Sequence, residues 1–189
     1  QQFFTPHQVV DLMVAMAAPY IDGLICDPAC GTGGFLRAAA KNHPTITTLG
    51  FEIDPRLAWV ANLNLEFSGS DRRSVHLLNQ GGSLGAAAQP YFNSCDMILT
   101  NPPFGSDYSD PEILEKFILG RGRKSRRRGI LFLEQSYNLL KDDGFAVIVV
   151  DDGILNSGSN YDVREFLLRH FSVRAIVSLP IAAFQPYAT

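Results

Sequence analysis

Apolar residues follow two alternating patterns along this chain. Short continuous apolar runs predict six strands, near residues 24–28, 47–53, 74–79, 95–100, 145–151 and 173–179. Longer stretches with apolar residues at helical spacing predict helices near residues 34–42, 55–67, 130–141 and 161–170. Because strands and helices alternate, the pattern predicts a doubly wound α/β fold.

The N-terminal segment and the fifth apolar run give the most specific of these predictions. Thr5 is suited to be a helix N-cap, and Pro6 to be the first helical residue. The apolar positions that follow predict an amphipathic helix of about four turns. Residues 145–150, Phe-Ala-Val-Ile-Val-Val, are apolar without a break, so we expect a central strand that is buried on both faces.

Composition limits the class of protein. With 189 residues, of which 46% are hydrophobic, the chain predicts one domain with a packed core. It has no apolar run of membrane-spanning length and no signal-like N-terminus, so we expect a cytoplasmic protein without membrane contact. Cys26, Cys30 and Cys95 lack zinc-like spacing, which favours a reducing compartment and no metal site.

Charge is unevenly distributed along the sequence. The net charge of −3 is unexpected for a protein that binds nucleic acid without a partner protein, because phosphate groups require basic side chains. One segment, the basic run, departs from this pattern and contains Arg121, Arg123, Lys124, Arg126, Arg127 and Arg128. It is either a solvated, mobile loop or a segment that follows a phosphate backbone. Both alternatives predict poor order in the absence of nucleic acid.

The strongest chemical signal is the sequence Asn-Pro-Pro-Phe at residues 101–104, directly after the fourth predicted strand. Open α/β sheets bind ligands at the carboxyl ends of their strands. Neither Pro102 nor Pro103 has an N–H, so the segment presents carbonyl oxygens in a stiff geometry beside the Asn101 amide. With the Phe104 ring next to it, this predicts a pocket for the exocyclic amine of a nucleobase. A plain turn that ends a strand is the alternative.

A glycine-rich turn follows the first predicted strand. Residues 27–34 read Asp-Pro-Ala-Cys-Gly-Thr-Gly-Gly and lead into a predicted helix. Glycine permits close approach of the backbone to a ligand, and a helix start presents free N–H groups. The spacing matches neither G-x-G-x-x-G nor a P-loop, which argues against a phosphate ligand. Asp27 at the strand end favours a cationic group on a small polar ligand.

A second acid ends the next predicted strand. Glu52 lies about 25 residues after Asp27, near the offset at which an acid holds ribose hydroxyls in nucleoside-binding units. An ordinary solvated acid at a strand end is the alternative. Asp54, which Pro55 follows, is more typical of a helix N-cap than of a ligand contact.

Together and in this order, these segments resemble the motifs of N6-adenine DNA methyltransferases, and most closely the modification (M) subunit of type I restriction-modification systems. The resemblance covers nearly all of residues 1–189 and is carried by residues 3–10, 27–35, 51–54, 101–104, 132–135, 177–180 and 183–184. It implies a class I S-adenosylmethionine-dependent methyltransferase sheet, Rossmann-like, usually with a seventh, antiparallel strand between the fifth and sixth. Because only six strands are predicted, we expect a catalytic-core fragment in which strands five and six are separated or poorly paired.

The resemblance also implies roles for individual residues. Methyl transfer to adenine N6 of a flipped-out base would involve Asn101, Pro102, Pro103 and Phe104. S-adenosylmethionine would be bound by Thr5, Pro6, Asp27, Pro28, Ala29, Gly31, Thr32, Gly33, Phe35, Glu52 and Ile53. The implied partners are duplex DNA and a specificity subunit, with a restriction subunit as a further candidate.

One position departs from the family pattern. After the third strand the family usually carries an acid in a Gly-Asp-Ser-Leu-like turn, whereas residues 81–84 read Gly-Gly-Ser-Leu, with Gly82 at the place of the acid. Asn79 and Gln80 are candidate substitutes. The departure keeps open a non-catalytic scaffold that binds S-adenosylmethionine. Within the enzyme class, the pocket also suits methylation of guanine N2 in RNA or of a protein glutamine amide.

Overall fold

The computed structural model describes residues 4–69, 73–77 and 82–184. Its strands are β1 Leu24–Asp27, β2 Thr47–Glu52, β3 Arg73–Leu77, β4 Cys95–Thr100, β5 Asp107–Tyr108, β6 Arg126–Arg127 and β7 Leu140–Ile148. Its α-helices are α1 His7–Ala17, α2 Gly34–Asn42, α3 Pro55–Phe67, α4 Pro111–Leu114, α5 Arg128–Leu139, α6 Asp152–Asn156 and α7 Tyr161–His170. Short 3₁₀ segments cover Ala18–Tyr20, Gly82–Leu84, Ala86–Tyr91, Gly158–Asn160 and Ile181–Phe184.

The main sheet of the described residues is parallel, with the strand order β3-β2-β1-β4-β7. β1 and β4 are neighbours in space, although β2 and β3 lie between them in the sequence. The strand order therefore reverses between β1 and β4. In a doubly wound sheet, the crevice outside the carboxyl ends of the strands at this switch point is the expected ligand site.

Both faces of the sheet are covered, as a doubly wound fold requires. Along β4, Met97 and Leu99 pack into the cluster formed with α1 and α2. Ile98, which points to the opposite face, packs with Phe51 and with Leu139 of α5. This alternation follows from the period of two in a strand. The predicted α/β fold is confirmed, and the predicted bounds of α2, α3 and α7 match those observed.

The prediction of a sixth sheet strand is wrong for the described residues. Residues 171–180 form neither helix nor strand, and Ile176 is 69% exposed. β7 bonds to β4 and to no segment on its outer side within the described ranges. Because no sixth strand forms there, the expectation that the fifth and sixth predicted strands are separated or poorly paired is not tested. A segment rich in β-branched residues forms a strand only where a neighbour completes its hydrogen bonds.

The prediction that residues 145–150 form a central strand is also wrong in part. β7 spans Leu140–Ile148 and is an edge strand of the described sheet, and its residues 145–148 are only half-buried. Its register to β4 shifts where Leu140 opposite Cys95 gives way to Phe145 opposite Met97. Asp143 adopts a positive φ of 64° within this irregularity. An apolar run shows that a strand is suited to burial, but it does not place the strand within the sheet.

The first helix differs from the sequence prediction at its start. α1 begins at His7 with Pro6 as its N-cap, and its 11 residues make about three turns. The Pro6 carbonyl oxygen accepts the N–H groups of Val9 and Val10 at 3.0 and 3.1 Å. No side chain caps the helix. Thr5 is therefore available for another contact.

Within the described ranges, no helix has both the length and the apolarity needed to cross a lipid bilayer.

Candidate active site

The carboxyl ends of β1 and β4 meet through Asp27 and Thr100. The Thr100 hydroxyl donates to Asp27 Oδ1 at 2.7 Å, and the backbone N–H of Ala29 donates to the same oxygen at 3.0 Å. Burial raises the pKa of Asp27 from 3.8 to about 7, although these two hydrogen bonds oppose the shift. A buried carboxylate without a cationic partner is costly. The site is therefore suited to a ligand that brings a positive charge.

The glycine turn lies directly after Asp27. Gly31 and Gly33 have positive φ angles of 54° and 78°, a region that glycine occupies at little cost. Gly33 is the N-cap of α2, and a Cβ there would lie 3.3 Å from the Cβ of Ala61. The two glycines thus allow the chain to turn tightly beneath α3. Pro28 and Gly33 are buried, whereas Ala29, Gly31 and Thr32 are partly exposed; Phe35 belongs to the core.

Glu52 closes the turn from the next strand. Its Oε2 accepts the Gly31 N–H at 2.9 Å, and its Oε1 accepts the N–H groups of Ile53 and Asp54, both at 2.8 Å. The residue is 8% exposed, so the alternative of a solvated acid is wrong. A carboxylate has about four acceptor sites, so Glu52 keeps capacity for a ligand hydroxyl. Asp54 caps α3 through Arg56, as predicted.

Asn101 follows Thr100, and its side chain is held by Thr5. Its Nδ2 donates to Thr5 Oγ1 at 3.0 Å, which replaces the predicted capping role of Thr5. Its Oδ1 is buried and has no hydrogen-bond partner among the described residues. Buried polar atoms without partners are uncommon in proteins and call for an explanation. A ligand that donates a hydrogen bond to Oδ1 would provide it.

The rest of the Asn-Pro-Pro-Phe segment lies between core and surface. Pro102 is buried, Pro103 is exposed and Phe104 is half-buried. The Phe104 ring meets the ring of Phe184 edge to face, with centroids 6.2 Å apart and planes at 79°. The candidate site residues did not include Phe184. Its only sequence signal is its place in the resemblance near the end of the chain.

Sequence comparison with known proteins identifies the family of this chain. The sequence matches the family described as N-6 DNA Methylase over residues 1–189. This chain belongs to the N-6 DNA methylase family. The chain is 29% identical over 202 residues to the type I restriction enzyme EcoEI methylase subunit of Escherichia coli, and the alignment covers 98% of this chain and 40% of that protein.

Two solved structures show the same fold. A protein from Vibrio vulnificus YJ016, assigned as the modification subunit of a type I restriction enzyme, is 28% identical with a TM-score of 0.72, covering 88% of this chain and 38% of that one. A protein from Listeria monocytogenes, assigned to the class I S-adenosylmethionine-dependent methyltransferases, is 22% identical with a TM-score of 0.70, covering 88% and 52%. This chain therefore has the class I methyltransferase fold. It spans about two fifths of the length of the curated type I relatives.

The turn after β3 forms a further wall of the candidate site. Gly82 has a positive φ of 59°, and a Cβ at this position would lie 2.6 Å from Ile53 Cγ2. The Ile53 side chain therefore fills the space where the usual acid would begin. Ile53 itself is 57% exposed and available to a ligand. The candidate substitutes Asn79 and Gln80 lie outside the described residues, as does Phe3.

A buried polar network, which the sequence did not indicate, ties this turn to the glycine turn. Ser83 Oγ donates to the Pro28 carbonyl oxygen at 2.6 Å. Gln135 Nε2, from α5, donates to the Ser83 carbonyl oxygen at 2.6 Å. Ser83 and Gln135 are both buried. The glycine turn and the turn after β3, two walls of the candidate site, are thus fixed to each other through Ser83.

The basic run is more structured than predicted. Arg126 is 6% exposed and lies in β6, and its Nη2 donates to Asp162 Oδ2 at 2.7 Å. The expectation of a mobile loop is therefore wrong for Arg126, because the Asp162 carboxylate and the pairing of β5 with β6 hold it in place. Arg123 contacts the same carboxylate oxygen at 2.8 Å. Arg128 lies over the Tyr108 ring at 5.4 Å.

The other basic residues remain accessible. Arg121, Lys124 and Arg127 are exposed, and Arg127 Nη1 lies 3.9 Å from Asp151 Oδ2. At that distance the ion pair adds little to stability and competes weakly with another anion. These three side chains are the better candidates for nucleic-acid contacts.

Proposed function

We propose that this chain is the catalytic core of a methyltransferase that moves a methyl group from S-adenosylmethionine to N6 of adenine in duplex DNA. The observation that supports this best is the buried Oδ1 of Asn101, which has no hydrogen-bond partner in the part of the chain that the structure describes. It lies at the sheet switch point, one residue after the Thr100 hydroxyl that bonds to Asp27. An acceptor for an amine and an acid for a cation therefore lie side by side.

The chain's residues fit S-adenosylmethionine. Asp27 is buried and has no cationic partner within residues 4–69, 73–77 and 82–184, so it suits the ammonium group of the methionine moiety, and Glu52 suits the ribose hydroxyls. The turn with Gly31, Thr32 and Gly33 leaves space for close approach of the backbone. Exposed Ile53 suits the adenine ring of the cofactor. When bound, the cofactor supplies a methyl group that its sulfonium has already activated.

Asn101 and Pro102 act on the acceptor nitrogen. Adenine N6 is a weak nucleophile because its lone pair is delocalised into the ring. Asn101 Oδ1 and the Pro102 carbonyl oxygen accept its two hydrogens and favour a pyramidal nitrogen with a localised lone pair. N6 forms the new bond to the methyl carbon as the carbon–sulfur bond breaks, and N6 then loses one proton to water. Positioning of the two reactants supplies most of the remaining acceleration.

Phe104 and Thr5 position the acceptor. A base inside the duplex cannot reach Asn101, so the target nucleotide must leave the helix. Phe104 offers an aromatic face for the flipped base, and Phe184 supports that ring edge to face. Thr5 fixes the orientation of the Asn101 amide so that Oδ1 remains available. We expect the flipped base to lie between Phe104 and the cofactor site.

The proposed partners are duplex DNA, a specificity subunit and a restriction subunit. Relatives of this chain are methylase subunits of type I restriction enzymes. The net charge of −3 also favours DNA binding that other subunits share, because this chain supplies little basic surface of its own. Since its substrate would be chromosomal DNA, we expect the protein to act in the cytoplasm.

A second function is favoured by Gly82. Without the usual acid, the site loses one contact to the cofactor, and a non-catalytic scaffold that binds S-adenosylmethionine would tolerate that loss. One net hydrogen bond is worth about 0.5–1.5 kcal/mol, so the loss alone weakens binding without abolishing it. The intact Asn101 geometry favours the enzyme.

The test uses the full-length protein together with its specificity subunit and methyl-labelled S-adenosylmethionine. We expect label in duplex DNA, recovered as N6-methyladenine after digestion to nucleosides. Cofactor binding by calorimetry without transfer to any acceptor would instead support the scaffold. Label in RNA guanine or in a protein glutamine would contradict the proposed acceptor.

A further inference from the structure

A second polar cleft lies beside the hairpin formed by β5 and β6. Its volume is about 250 Å³, and its polar lining includes Ser125, Arg126, Arg127, Ser157, Ser159 and Asn160. Three hydroxyl groups and two guanidinium groups converge there. This combination of donors is typical of sites that bind phosphate groups.

Arg126 is a buried donor that the described residues satisfy only in part. It is 6% exposed, and its partner Asp162 Oδ2 also accepts a hydrogen bond from Arg123. Its Nε is buried and has no acceptor within the described part of the chain. A buried guanidinium that shares its carboxylate oxygen is poorly compensated for the loss of water. An anion in the adjoining cleft would add the missing negative charge.

The loop opposite the hairpin is fixed in place. Arg164 Nη1 donates to the Ser157 carbonyl oxygen at 2.6 Å, and Asn160 Nδ2 donates to the Gly153 carbonyl oxygen at 2.7 Å. The hydroxyls of Ser157 and Ser159 lie 2.8 Å apart. One of them donates to the other, so the second keeps its own proton for a ligand.

The charge of the lining suits a monoanion. Arg126 and Arg127 contribute two positive charges, and Asp107, which also lines the cleft, contributes one negative charge. Asp107 Oδ2 accepts a hydrogen bond from Ser125 Oγ at 3.2 Å, which occupies part of its acceptor capacity. The remaining single positive charge matches one phosphodiester group.

The cleft adjoins the proposed base pocket. β5 begins at Asp107, three residues after Phe104, and the Arg128 N–H donates to the Ser106 carbonyl oxygen at 3.1 Å. We propose that the cleft binds one phosphodiester of the target DNA strand, next to the nucleotide that enters the Phe104 pocket. The inference rests on the proposed function and adds the 157–160 loop to the DNA-binding surface.

The test measures DNA affinity of the full-length protein with its specificity subunit, using fluorescence anisotropy. Ser157→Ala combined with Ser159→Ala removes the hydroxyl pair and with it the one donor that the pair keeps for a ligand. Arg127→Gln removes one charge. Ser109→Ala is the control, on an exposed serine outside the cleft. We expect each cleft variant to lower DNA affinity about tenfold, as for loss of charge-assisted hydrogen bonds. Arg127→Gln should also reduce the slope of log DNA affinity against log salt concentration by about the contribution of one phosphate contact. Affinity for S-adenosylmethionine should remain unchanged.

Neutral methylphosphonate linkages, placed one at a time beside the target adenine, locate the contact. We expect one linkage to weaken wild-type binding and to cause no further loss in the serine double variant. Equal effects in both proteins at every linkage, or wild-type affinity in both cleft variants, would overturn the proposal. If DNA binding depends on the cleft but no methyl group is transferred, the proposed function fails while the phosphate site stands.

Discussion

The hydrogen bond between Asn101 and Thr5 joins residues 96 positions apart in the sequence. It orients the amide at the centre of the proposed reaction. Thr5→Val keeps the shape of the side chain but removes its acceptor, so the Asn101 amide loses its fixed orientation. We expect kcat to fall about two- to tenfold, the value of one net hydrogen bond. Steady-state kinetics of the full-length protein measure this.

Thr5→Ser serves as the matched control because it keeps the hydroxyl. It should retain most of the wild-type kcat. If both variants are impaired equally, the loss of kcat is not specific to the hydrogen bond between Thr5 and Asn101.

Asp27 predicts a link between stability and pH. Its pKa is 3.8 in the unfolded chain and about 7 in the folded protein, so the folded state binds the proton more tightly. Ionisation of Asp27 therefore costs stability progressively as pH rises from about 4 to about 7. Asp27→Asn removes this cost and keeps an oxygen that accepts from Thr100 and Ala29. We expect the variant to gain up to about 4 kcal/mol in unfolding free energy above pH 7, and little near pH 4.

Urea denaturation across this pH range measures the difference. The same variant should bind S-adenosylmethionine more weakly, because the ligand's ammonium group loses its carboxylate. A stability difference that does not change with pH would contradict the raised pKa of Asp27.

The sequence located some site residues but not others. Asp27, Glu52 and Asn101 could be found because each follows a predictable strand, and the carboxyl ends of parallel strands meet at one edge. Ser83 and Gln135 could not, because their contacts join a turn and a helix far apart in the chain. The burial of Arg126 could not be predicted, because a run of basic residues does not reveal which of them is buried.

At the scale of elements, β2 packs against the glycine turn through Gly50. A Cβ at Gly50 would lie 2.8 Å from Cys30 Sγ and 3.0 Å from Leu36 Cδ1. Gly50→Ala should therefore displace the turn, with a loss of about 1–3 kcal/mol in unfolding free energy. We also expect weaker cofactor binding by calorimetry, because the displaced turn forms a wall of the site.

A second substitution separates this packing effect from a backbone effect. Cys30→Ala removes the closest of these contacts, so the cost of Gly50→Ala should shrink in that background. Additive effects of the two substitutions would show that the sulfur does not set the packing limit.

Long elements were predicted better than short ones. Helices α2, α3 and α7 match their predicted bounds because helical spacing marks them, and Asp54 followed by Pro55 also marks the start of α3. The hairpin of β5 and β6 has two residues in each strand, too few for any periodicity. Residues 173–179 have the composition of a strand, but strand formation requires a partner that the local sequence does not specify.

At the scale of the whole molecule, charge predicts how DNA binding is shared. The net charge is −3, and Arg123 and Arg126 both direct a guanidinium nitrogen to the one carboxylate of Asp162. Residues 1–189 alone should therefore bind duplex DNA weakly and methylate no specific site. A methylation assay with this segment alone checks the expectation. Site-specific methylation by these residues would contradict it.

The account depends most directly on the oxygen of Asn101. The decisive measurement is single-turnover methyl transfer by full-length Asn101→Ala with its specificity subunit, alongside cofactor affinity by calorimetry. We predict that cofactor affinity stays within about twofold of wild type while the transfer rate falls by about 100-fold or more, the usual cost of losing one positioned polar group at a reacting centre. An unchanged transfer rate would contradict the mechanism.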